Sequence, residues 1–163
     1  PQSAVIGEVG QGMSIALNAL NLSRAFISTL AVGIMQRALD EAVAYAKQRK
    51  QFGRRLIDFE MVQQMLADMA IKTEAARVLV NNCMRQMDAG EMVRKDGAIV
   101  KTFVTDAMQE VVSNAVQVLG GYGYSEEYPV EKLMRDAKIF QIFEGSNQIQ
   151  RMTIAKELDR EYQ

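Results

Sequence analysis

The residues IFEGSNQIQR, Ile142 to Arg151, hold one carboxylate, Glu144, between an apolar run and a Gly-Ser pair. An ionised carboxylate costs several kcal/mol or more to bury without partners, so a chain that ends KIFQIFE with one invites a use for it. Chemistry is one such use. Flanked by Ile142 and Phe143, the group is expected to be poorly solvated, which raises its pKa and strengthens it as a base, while Gly145 leaves room for a substrate. A solvated loop carboxylate beside a helix end is the plainer reading of the same residue. There are no histidines and one cysteine, Cys83, which removes imidazole catalysis, disulfides and thiolate clusters. The Glu-x-x-His ligand pattern of di-iron bundles is missing too, and no pair of acids falls into a metal-ligand frame.

The elements that position Glu144 follow from what the chain permits. At 163 residues it is long enough for one domain with a substantial core and too short for two ordinary ones. A net charge of -1, with bases and acids interspersed, gives no reason to expect nucleic acid or an anionic membrane surface. A lone cysteine fits a reducing, intracellular setting and a core position. No apolar run is expected to reach the roughly 20 residues of a membrane span, and the start lacks the order of a signal peptide. The first residue is Pro1 rather than Met, which fits a piece of a longer protein.

The only prolines are Pro1 and Pro129, so long helices are unobstructed. Apolar residues at spacings of three and four predict a helix from about Asn21 to Gln48, through Ile27, Leu30, Ala31, Ile34, Ala38 and Ala42, with a shorter piece over Gly7 to Asn18. A second helix is predicted from Phe59 to Ala89, with Asp58 as N-cap and Gly90 as stop, and a third from Val93 to Leu119, ending in Gly120-Gly121-Tyr122-Gly123. Val130 to Ala137 and Ile149 to Leu158 are helical again, on either side of EGSN. No strand-like alternation competes. The expected fold is all-α, an antiparallel four-helix bundle with extra short C-terminal helices, its functional residues at the breaks near Gly120 and Gly145. The 11 methionines are expected mostly on the buried stripes.

Four stretches are over-specified for a plain bundle: QRKQFGRR (Gln48 to Arg55), QVLGGYGY (Gln117 to Tyr124), EYPVEKLMRDAKIFQI (Glu127 to Ile142) and EGSNQIQR (Glu144 to Arg151). In this order and at these separations they resemble the C-terminal helical domain of acyl-CoA dehydrogenases, over essentially residues 1–163, and most closely its medium- and short-chain members. The resemblance implies that Glu144 removes the α-proton of a bound fatty acyl-CoA while the β-hydrogen leaves as hydride to FAD, giving the trans-2-enoyl-CoA. A backbone N–H of this loop and a flavin hydroxyl would stabilise the developing enolate. Some relatives carry the base on the first long helix, where this chain has Ser23, which cannot serve.

The same resemblance assigns Asn21, Arg24 and Gly145 to substrate, although most relatives have Asp where Asn21 stands and an N-cap is the alternative for that residue. Arg49, Gln51, Phe52 and Glu60 would meet the FAD of a neighbouring subunit, as would Gln117, Gly120 and Gly121. Without the resemblance, Arg49 and its neighbours complement a helix C-terminus. Gln is common where Glu60 stands, and a carboxylate is less welcome beside phosphate. Ser146 and Gln148 would reach the flavin of their own subunit. Arg135-Asp136 reads as a structural ion pair.

The family's N-terminal helical and middle β domains are not in this stretch, so the chain alone is expected to be inactive. The implied setting is the bacterial cytoplasm or the mitochondrial matrix, with an electron-transfer flavoprotein as electron acceptor and a homodimer or homotetramer as the assembly. An acyl-CoA oxidase or a decarboxylating glutaryl-CoA dehydrogenase of the same fold, and a non-catalytic helical interaction module, remain as alternatives.

Overall fold

A computed structural model describes residues 1–163 and shows the expected all-α bundle. Three long helices, α1 (Gly12–Gln48), α2 (Glu60–Asp88) and α3 (Arg94–Leu119), are followed by two short ones, α4 (Val130–Phe140) and α5 (Asn147–Glu161). The two pieces expected before residue 48 are one helix, because nothing between Gly12 and Asn21 breaks it. Asn21 therefore lies inside α1 and is not an N-cap. Asp58 does not cap α2 either: its carboxylate is gripped at both oxygens by Arg55, and Phe59 takes the cap position without a side-chain bond.

α3 is the central helix and touches each of the other four. It runs parallel to α1, since the Gly97 backbone lies against Asn21 at one end and the Tyr122 ring approaches Tyr45 to 6.4 Å at the other. Small buried residues, Ala31, Ala38, Ala42 and Ala46 on α1 and Ala98, Ala107 and Ala115 on α3, let the two helices approach closely. α4 and α5 together form one antiparallel path along α3, from Tyr128 against Tyr122, through Gln141 at Asp106, to Glu157 at Arg94. The fourth member of the bundle is thus a helix broken over residues 141–146.

Between α1 and α2 the chain makes a two-residue hairpin, β1 (Lys50–Gln51) with β2 (Arg54–Arg55), which the absence of alternation had hidden. Phe52 and Gly53 occupy its turn with φ of 50° and 79°, the pattern of a type I′ turn. Gly90, with φ of 76°, ends α2 as expected.

Cys83 is buried, as are Met35, Met69 and Met108, whereas Met13, Met61, Met92, Met134 and Met152 are exposed, so the methionines fill the core less completely than expected. Leu30, expected on the buried stripe of α1, is exposed with Leu22 and Phe26. By length and composition α1 does contain a stretch able to cross a membrane, against the sequence expectation. Its buried side chains pack into the bundle, and a core helix passes the same test. Arg135 pairs with Glu131 and Asp136 with Lys132, each one helical turn apart, rather than with each other.

Candidate active site

Glu144 sits in the break between α4 and α5. The last turn of α4 closes with the Phe143 N–H donating to Ile139, and the Asn147 N–H reaches back to the Gln141 carbonyl at 3.0 Å. That closure forces the residues between into a tight turn, with Glu144 at φ 55° and Gly145 at φ 81°. A left-handed glutamate is uncommon and strained, a feature that gathers at functional sites. The backbone N–H groups of Glu144, Gly145 and Ser146 find no acceptor within the chain.

The turn is fastened from beneath. The Gln150 side chain, fully buried, donates to the Glu144 carbonyl at 2.9 Å and the Gly145 carbonyl at 3.0 Å. Lys101 of α3, also fully buried, donates to the Gly145 carbonyl at 2.9 Å and to Asn147 Oδ1 at 2.7 Å. Asn147 in turn donates to Thr105 and to Asp106. Burial alone would raise the Asp106 pKa, but hydrogen bonds from Arg151, Gln141 and Asn147 outweigh it and hold the carboxyl below its ordinary value. Sequence reasoning missed Lys101, Asn147 and Gln150. A lone lysine within an apolar helical stripe was the available signal.

The Glu144 carboxylate is half-buried and accepts a hydrogen bond from the Ser23 hydroxyl at 2.6 Å. Its apolar neighbours do not enclose it: Ile142 is exposed and Phe143 turns toward the core against Phe140. Ser23 thus stands against the carboxylate. One residue on, Arg24 is buried, donates to Asn21 Oδ1 at 3.0 Å, and leaves its Nε without a partner. Burial lowers the Arg24 pKa, Arg94 adds to this, and Glu144 opposes it, so guanidinium and carboxylate feel one another. Asn21, Arg24, Glu144 and Gly145 come together as expected. Ser146 caps α5 by accepting from the Ile149 N–H at 3.4 Å, leaving its O–H to donate, and Gln148 is exposed in the first turn of α5.

A second cluster lies at the far end of α1. Arg49, Gln51, Gly120 and Gly121 line one cavity of about 600 Å³ with Tyr45, Tyr122 and Glu127. The Arg49 guanidinium has no acidic partner and lies 5.8 Å from the Tyr122 ring centre. A side chain would meet nothing at Gly120 or Gly121, so the wall there is open backbone. Phe52, held outward at 86% exposure by its left-handed turn, shares an adjoining cleft with Glu60. Glu60 opens α2, where its charge favours the helix dipole, which accounts for a carboxylate at this position. Gln117 stands exposed one turn before the glycines and does not line the cavity.

Residues 10–158 match the sequence model of the acyl-CoA dehydrogenase C-terminal domain. The chain belongs to the acyl-CoA dehydrogenase family. It is 48% identical over 161 residues to a probable acyl-CoA dehydrogenase of Mycobacterium tuberculosis, covering 98% of this chain and 41% of that protein. It is 43% identical over 155 residues to the caffeyl-CoA reductase-Etf complex subunit CarC of Acetobacterium woodii, covering 95% of this chain and 41% of that one. The structure of butyryl-CoA dehydrogenase from Megasphaera elsdenii superimposes with a TM-score of 0.96 at 44% identity, covering 98% of this chain and 42% of that chain. The chain thus spans about two fifths of the length of these relatives.

Proposed function

We propose that this chain is the C-terminal domain of an FAD-dependent acyl-CoA dehydrogenase that converts a fatty acyl-CoA to its trans-2-enoyl-CoA, with Glu144 as the base. The observation that carries the reading is the left-handed Glu144–Gly145 turn, which sets a half-buried carboxylate beside three backbone N–H groups without acceptors. Ser23 holds Oε2 and leaves Oε1 to take the α-proton. The free N–H groups suit the oxygen of a thioester as it gains negative charge, and the hydrogen bonds received by the Glu144 and Gly145 carbonyls polarise the Gly145 and Ser146 N–H groups further. Arg24, whose guanidinium joins Asn21 in the same cluster, is the proposed cationic contact for the substrate. FAD, when bound, supplies the acceptor for the β-hydrogen, which leaves with its electron pair.

The Arg49 cavity suits the pyrophosphate of an FAD, through an unpaired guanidinium beside open glycine backbone. Twenty-six residues of one helix separate Ser23 from Arg49, roughly 39 Å at 1.5 Å per residue. A single dinucleotide does not span that distance, which supports two cofactors and therefore two subunits. An electron-transfer flavoprotein is the proposed electron partner, a reading supported by the similarity to an Etf-complex subunit. That similarity also favours a second reading in which the enzyme runs as an enoyl-CoA reductase and a protonated Glu144 returns the proton to the α-carbon.

In the full-length protein, a bound flavin spectrum should bleach when acyl-CoAs of graded length are added without oxygen, and Glu144→Gln should slow α-proton abstraction by about 10²–10⁴-fold. A full-length protein without flavin, or a variant that abstracts the proton as fast as the parent, would overturn the reading.

A further inference from the structure

Lys101 is the one fully buried ammonium of the chain, and it points at the turn that carries Glu144. The Gly145 carbonyl does not need it for satisfaction, since it also receives Gln150 Nε2, whereas Asn147 Oδ1 relies on it, because the Thr105 hydroxyl donates to the Lys101 carbonyl at 2.8 Å. An apolar side chain of similar length would avoid the cost of burying a charge and leave the turn carbonyl bonded, with one side-chain acceptor unpaired. The bond from a buried ammonium to the turn carbonyl is therefore more than that carbonyl requires.

We propose that Lys101 is a positioning residue of the site: by gripping the Gly145 carbonyl and the Asn147 side chain, its ammonium holds the left-handed turn and its free N–H groups in the form that receives a thioester. The inference rests on the acyl-CoA dehydrogenase reading of Glu144. The bond to the Gly145 carbonyl polarises the Gly145–Ser146 peptide, so the charge behind the turn strengthens the Ser146 N–H in front of it.

Three charged groups face the ammonium: Arg24 from α1, Asp106 from α3 itself and Glu144 from the turn; α5 presents the neutral Asn147. Burial, the largest influence, lowers the Lys101 pKa to about 8, Arg24 acting with it and Asp106 and Glu144 against it. The side chain is charged below that pH and neutral above it. A neutral amine donates a weaker hydrogen bond, so the grip is full on the acid side and fades as pH rises through about 8.

The test uses the full-length, flavin-loaded protein and measures exchange of the acyl-CoA α-proton with solvent deuterium. Lys101→Met is expected to slow exchange at neutral pH by at least about tenfold with acyl-CoA Kd changed less than about twofold, and to lack the decline in rate expected of the parent above about pH 8. Lys101→Arg, charged at every accessible pH, is expected to move that decline out of range. Hydrogen–deuterium exchange of the 142–150 amides, read by mass spectrometry without substrate, is expected to be faster in Lys101→Met. A Met variant with parental proton exchange and amide protection would overturn the proposal, as would equal losses in binding and exchange, or a parental rate that does not decline across pH 8. Glu144→Gln with parental proton exchange would remove the base assignment while the amide protection still reads the grip of Lys101, so the two failures are told apart.

Discussion

At the scale of single residues, the site is a turn under tension. Gly145 has φ 81°, and a Cβ there would clash with Gln150 Nε2, the group that donates to the two turn carbonyls. Gly145→Ala therefore meets two penalties, a left-handed backbone and a displaced buried amide. It is expected to destabilise the protein by about 1–3 kcal/mol, measured as a lower denaturant midpoint at unchanged slope, and to loosen the 142–150 segment. Gly90→Ala, also at positive φ but facing open space, is expected to cost less. The comparison separates backbone strain from the clash. Ser23 illustrates how chemistry hides at this scale: its side chain cannot act as a base, yet it binds the carboxylate that can.

At the scale of elements, α3 organises the molecule. It contacts every other helix, and Met108, fully buried on it, packs in the central cluster. Met108→Ala is expected to cost about 2–5 kcal/mol, whereas Met92→Ala, at an exposed position, should change the thermal midpoint little. The same helix supplies Lys101, Thr105 and Asp106 to the underside of the turn, so the core and the site share one rigid element. That sharing suits the proposed role of Glu144, in which a base must be held accurately. The break between α4 and α5 works because the path continues on both sides of it along α3, leaving only residues 141–146 out of helical register.

At the scale of the whole molecule, the two candidate clusters stand toward opposite ends of α1. If the Glu144 cluster serves one flavin and the Arg49 cluster that of a neighbouring subunit, defects in the two should complement. Full-length Glu144→Gln and Arg49→Ala proteins, each impaired alone, are expected to recover roughly half the parental activity per mixed dimer once subunits exchange, because one of its two sites is intact. Activity that stays at the level of the unmixed variants would argue that both clusters act on the same flavin. Leu22, Phe26 and Leu30 are exposed at successive turns of α1, and Leu30 lines a cleft with Ile139 of α4.

Three long helices, their stops at Gly90 and Gly120 and the break that carries Glu144 were legible in the order of residues, because helical periodicity and glycine punctuation are local properties of the chain. Family motifs carried the assignments of Arg49, Gln51, Gly120 and Gly121, which the fold then gathered in one cavity. What the tertiary structure alone decided was the company each residue keeps. The continuous α1 overrode an expected break, Arg55 took Asp58 from its cap, and Arg135 chose Glu131 over Asp136. Lys101 looked like an ordinary lysine on an apolar stripe, and only the passage of α5 across α3 buried it beneath the turn, 44 residues away in sequence. Burial and hydrogen-bond partnership depend on contacts between segments distant in the chain, and periodicity carries no record of those.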